Sequence, residues 1–123
     1  MTILTDHNSV IDLKQLLILI NDDLDLDAEL CLDLDCRIAT RESEALIQNL
    51  RTTITSIRSE TLGTLSIGLS ALRDAFDVVV VGRTDAATVS PKPEVSFETF
   101  GGKLSFEFSP ENYLKAWIRF DRS

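Results

Sequence analysis

The chain has 123 residues, of which 44% are apolar and 26% charged, with a formal net charge of -8. Those values exclude intrinsic disorder and predict a single domain over residues 1–123. The acidity disfavours nucleic acid and anionic membrane, which both need a basic footprint, and favours a basic protein surface as partner.

The longest uninterrupted apolar run is Leu16 to Ile20, far short of the roughly 20 residues of a membrane span. Met1 to His7 lack the basic start and long apolar stretch of a secretory signal, so a cytoplasmic protein is expected. The charge is also uneven. Residues 1 to 35 hold nine acids (Asp6, Asp12, Asp22, Asp23, Asp25, Asp27, Glu29, Asp33 and Asp35) against Lys14, and the remainder is neutral.

The first element reads as a helix from about Val10 to Ile20, with Ser9 as N-cap and Asp12 completing a Ser-x-x-Asp signature. Its apolar stripe is wide, suited to a core position before an oligomer interface. Residues 24 to 38 then alternate with period two. Even positions are Leu, Ala, Cys or Ile, and odd ones are Asp, Glu, Cys or Arg, which predicts a half-buried strand or a bent pair of strands. Asp25, Asp27, Glu29, Asp33 and Asp35 would share one face of that strand. Cys31 and Cys36, at odd and even positions, would point apart and remain thiols.

Thr40 can cap a second helix from about Arg41, with an apolar stripe of Leu46, Ile47, Leu50, Ile54 and Ile57. Leu62, Leu65, Leu69, Leu72 and Phe76 continue at helical spacing, although Leu65, Ile67 and Leu69 also alternate as in a short strand. Val78 to Val81 read as a strand buried on both faces. After a loop over residues 84 to 94, the runs Val95–Phe100 and Lys103–Phe108 predict a hairpin through Gly101-Gly102. Tyr113, Trp117 and Phe120 fall on one side of a short C-terminal helix, started by Ser109-Pro110. The aromatic residues of this last third are expected to be core and not a base-stacking platform.

The chemistry-bearing motifs are incomplete. Asp23, Asp25 and Asp27 have the first spacings of a calcium loop, but Ala28 stands where its glycine is needed and Leu34 where its bidentate Glu is needed. One histidine, His7, and two cysteines cannot make a zinc cluster or a nucleophile-base pair by spacing. No phosphate-loop or dinucleotide fingerprint occurs. These readings assign no catalytic residue, cofactor or metal ligand.

The expected architecture is a small α+β domain: an antiparallel or mixed sheet with helices packed mainly on one face. The expected function is a non-enzymatic acidic protein-binding module, of inhibitor or immunity type, that neutralises a basic partner with Asp25, Asp27, Glu29, Asp33 and Asp35. The alternative is a structural accessory protein forming a homo-oligomer through its Leu/Ile-rich helices. A small carboxylate-dependent enzyme is the third reading.

Overall fold

A computed structural model describes residues 9–85, 95–109 and 111–121. His7, the Pro91–Pro93 part of the predicted loop and Pro110 lie outside the described residues. The chain begins with strand β1 (Ser9–Asp12) and helix α1 (Leu13–Asp23), followed by strands β2 (Glu29–Leu32) and β3 (Arg37–Thr40) and helix α2 (Ser43–Ser59). Then come β4 (Leu62–Ala71), β5 (Ala75–Arg83), a 3-10 turn at Glu98–Phe100, β6 (Gly102–Ser109) and β7 (Tyr113–Asp121).

Five strands form a mixed sheet in the order β2-β4-β5-β7-β6, in which β2 runs parallel to β4 and the other neighbours are antiparallel. β1 and β3 make a separate antiparallel ribbon. The sheet turns alternate side chains to opposite faces. Leu65, Ile67 and Leu69 of β4, Val78 and Val80 of β5, and Leu114, Ala116, Ile118 and Phe120 of β7 are buried with Leu13, Leu17 and Ile20 of α1 and Leu46, Leu50, Ile54 and Ile57 of α2. The helices therefore cover one face, and the α+β class with a mixed sheet is as expected. At the β6 end, Phe97 and Phe120 meet edge to face, with ring centroids 5.7 Å apart at 86°.

Several elements differ from the sequence expectation. Helix α1 starts at Leu13, not Val10, because Val10 and Ile11 pair with Ala39 and Ile38. Its N-cap is Asp12, whose carboxylate accepts from the Lys14 and Gln15 N–H groups at 3.0 and 3.4 Å. The stretch 24–38 is two short strands separated by turns. Asp25, Asp27 and Asp35 sit at positive φ (53°, 52° and 65°), a conformation that interrupts pairing and that Asp tolerates better than most residues.

Residues 62–76 form most of the β4–β5 hairpin in place of a helix, since Leu65, Ile67 and Leu69 can be buried together only with period two. The Val78–Val81 strand is covered on one face only, with Val79 and Val81 half-buried on the other. Val95–Phe97 is no strand, and the actual hairpin is β6–β7. Its turn has Asn112 at φ 68° and an Asn112 N–H donated to the Ser109 carbonyl at 2.9 Å. The terminal helix is thereby replaced by β7.

Candidate functional site

The acidic residues singled out by pattern do not form one row. Glu29 lies on β2, while Asp25 and Asp27 occupy the left-handed turn before it. The Asp33 carboxylate accepts the Ala71 N–H at 2.9 Å and its own N–H donates to the Leu69 carbonyl at 2.9 Å, which extends the β2–β4 register by one residue. Asp35 pairs with Arg37 at 3.5 Å. Asp23, outside the predicted face, pairs with Arg51 of α2. Turn geometry, backbone capping and local ion pairs therefore account for Asp25, Asp27, Asp33 and Asp35. Cys31 is exposed and Cys36 buried, and neither is in a disulfide.

The sheet's outer face carries a denser polar group. Arg119 donates to both carboxylate oxygens of Asp77, at 2.8 and 2.9 Å, in a cross-strand fork between β5 and β7. That hydrogen bonding holds the Asp77 carboxyl below its ordinary value, against the opposing effect of burial, with the Trp117 indole and the Arg119 charge adding to the lowering. The Trp117 Nε1 is buried without a hydrogen bond of full geometry. Its ring lies between two cations, Lys115 at 5.7 Å and Arg119 at 5.2 Å from the centroid. This assembly ties two neighbouring strands of the sheet together.

A polar cleft of about 470 Å³ opens where strand ends converge, lined by Leu62, Gly63 and Thr64 of β4, Arg83, Thr84 and Asp85 at the end of β5, and Asn112 of the β6–β7 turn. Its size falls within the usual range of small-molecule sites. The Thr84 N–H donates to the Asn112 carbonyl at 2.9 Å, so the turn is fastened to the β5 end and two walls of the cleft are fixed relative to each other. Arg83 has no carboxylate partner among the described residues. Its guanidinium, the Thr64 hydroxyl and the Asn112 amide give the cleft anion-compatible donors, while Asp85 supplies an acceptor for an amino group.

Gly82 and Gly102 lie outside that set. A Cβ on Gly82 would lie 2.7 Å from Leu65 Cδ2 and from Thr61 Cγ2, and one on Gly102 would lie 2.8 Å from the Phe120 ring and the Phe97 Cβ. Both glycines permit close packing of the protein on itself. Among the described residues no group of three or more His, Cys, Asp or Glu side chains is placed to hold a metal ion.

No family model matches the chain, and no curated protein matches its sequence. Solved structures do match in shape. A mycobacterial sensor histidine kinase, MprB, superposes with a TM-score of 0.75 at 9% identity, covering 93% of this chain and 97% of that one. The histidine kinase domain of the E. coli osmosensor EnvZ gives 0.70 at 9% identity, over 98% and 92%. The catalytic domain of the histidine kinase ThkA gives 0.64 at 14% identity, over 93% and 95%. The fold is that of a histidine kinase catalytic domain.

This overturns the expectation of a non-enzymatic acidic inhibitor. Neighbours that share the fold over nearly their whole length include a sensor histidine kinase, a histidine kinase domain and a histidine kinase catalytic domain. The acidic pattern that suggested an inhibitor is broken by the three left-handed aspartates. The cleft was missed from sequence because its lining comes from three strand ends separated by up to fifty residues, with no contiguous motif. Among the described residues no helix is long and apolar enough to cross a membrane.

Proposed function

We propose that this chain is the catalytic-type module of a histidine kinase system, with a nucleoside triphosphate as the ligand of the cleft at the β4, β5 and β6–β7 ends. The observation that carries the reading is the two-way coverage with isolated kinase domains, 93% of this chain against 97% of the MprB structure. A cytoplasmic location goes with it, as the matched segment of the histidine kinase QseC is described as cytoplasmic.

The donor set fits a phosphate group in part. Arg83 would hold phosphate oxygens, Thr64 and Asn112 would orient them, and Asp85 would accept from an amino group of the base. The nucleotide, when bound, supplies the phosphoryl group. The Thr84–Asn112 hydrogen bond keeps the donors in position as the ligand arrives. No described residue is assigned to a metal ion.

Calorimetric titration with ATP and magnesium tests the proposal. Saturable binding is expected, weakened about tenfold in Arg83→Ala by loss of one charge-assisted contact, with the melting temperature of the unliganded protein unchanged. Absence of binding at millimolar ATP overturns it.

A further inference from the structure

We propose that the bulge at the start of β4 is a backbone phosphate cradle, through which the cleft recognises a linear polyphosphate by its phosphate groups, with a nucleoside attached or without one. This inference builds on the nucleotide reading of the cleft and names the part of the ligand that carries recognition.

The bulge shows in the ladder. Between the pairs Leu62↔Arg83 and Ser66↔Val81, three residues of β4 (Gly63, Thr64 and Leu65) stand against one of β5, Gly82. The Thr84 N–H donates to the Asn112 carbonyl at 2.9 Å, and backbone direction alternates along an antiparallel pair. Gly82 therefore turns its backbone groups to β7 as well, while Val81 faces Ser66. The β5 ladder thus offers the N–H groups of Leu62, Gly63 and Thr64 one carbonyl, that of Arg83. Three donors against one ladder acceptor leave amide hydrogens in excess, and all three residues line the cleft.

Conformation and charge favour an anion at this place. Gly63 has φ 75°, and a Cβ on it would meet no atom within 4 Å. Packing does not demand a glycine here, as it does at Gly82 and Gly102; the left-handed backbone does. Successive N–H groups around a left-handed residue form a concavity suited to an anion. Arg83 stands across the ladder from Leu62 and adds a fixed positive charge with planar donors. The carboxylate of Asp85, two residues beyond Arg83 in the same lining, repels a polyanion from its own end and so directs it toward the bulge. Such a cradle reads phosphate oxygens alone, so inorganic triphosphate carries all that it recognises.

Calorimetric titration of the 123-residue chain with sodium tripolyphosphate and, separately, with ATP, each with magnesium, tests the cradle. Both should bind saturably, with affinities within about fivefold of each other. Gly63→Ala should weaken both about tenfold, because a left-handed alanine is strained and the amides turn away. Gly63→Asn, which tolerates positive φ better, should recover most of that loss. Melting temperatures show whether each variant is folded. In isotope-labelled wild-type protein, the amide resonances of Gly63 and Thr64 should move as tripolyphosphate is added, a reading that needs no variant. ATP binding without tripolyphosphate binding overturns the cradle and leaves the nucleotide reading standing. Tripolyphosphate binding that moves those resonances, with no ATP binding, supports the cradle and overturns the nucleotide reading. Silence from both ligands overturns both. Binding with the two resonances unmoved, or with folded Gly63→Ala at wild-type affinity, overturns the cradle.

Discussion

The two edges of the sheet are built on opposite plans. At the β2 edge, four residues pair parallel to β4, with left-handed aspartates before and after them, and Leu30 and Cys31 are left exposed. At the other edge, β6 pairs along its full length with β7, and Gly102 is pressed against Phe120 and Phe97. The first edge is limited by turn geometry and surrounded by acids; the second is anchored by aromatic packing. Secondary-structure type alone therefore says little about how much of the fold depends on a strand.

Core deletion should expose the contrast most strongly. Phe120→Ala removes a fully buried ring in edge-to-face contact with Phe97 and should cost about 4 kcal/mol in denaturant unfolding. Leu30→Ala, at a side chain 36% exposed, should cost under about 1 kcal/mol by the same measurement. Equal losses at both positions would contradict the asymmetry.

Adding one methyl group probes the edges more finely. Gly102→Ala places a Cβ 2.8 Å from the Phe120 ring and should destabilise by about 2 kcal/mol through overpacking. Gly68→Ala, on β4 beside β2, meets only the Cys31 carbonyl at 3.9 Å and should change stability by less than about 0.5 kcal/mol. Thermal melts of the two variants give the comparison directly.

The smallest expected difference is electrostatic. Asp77→Asn breaks the bidentate fork with Arg119 between β5 and β7 and should cost about 1 kcal/mol at neutral pH. Asp35→Asn alters an exposed pair with Arg37 at 3.5 Å near the β2 edge and should cost under about 0.5 kcal/mol. Because the Asp77 carboxyl is lowered from 3.8 in the folded state, its stabilising contribution is present above the unfolded value. That contribution disappears as pH falls through the lower folded value. The stability gap between wild type and Asp77→Asn should accordingly close in acid, as read from urea midpoints against pH.

Much of the helical layer was legible in the sequence. Leu46, Leu50, Ile54 and Ile57 announce α2 by spacing, and all are buried. The sheet was harder to read because its strands carry two periodicities at once. In β7, Tyr113, Trp117 and Phe120 mimic a helical stripe, while Leu114, Ala116, Ile118 and Phe120 form the row that enters the core. Small Ala116 made that second row easy to overlook. In β4, leucines at 62, 65, 69 and 72 suggested a helix, yet Leu62 and Leu72 are exposed and the buried set is Leu65, Ile67 and Leu69. The cleft was not legible at all, since Thr64, Arg83 and Asn112 converge only once the β4–β5 and β6–β7 hairpins are in place.

Trp117 is the only tryptophan in the chain, and it stands on the sheet face opposite the helices, between Lys115 and Arg119. Intrinsic emission therefore reports the outer surface of β7 and is blind to the helix layer. A partly unfolded form that loosened α1 and α2 while keeping the sheet would leave fluorescence near its native value as far-ultraviolet ellipticity fell. Divergence between the two signals would mark the order in which the layers separate.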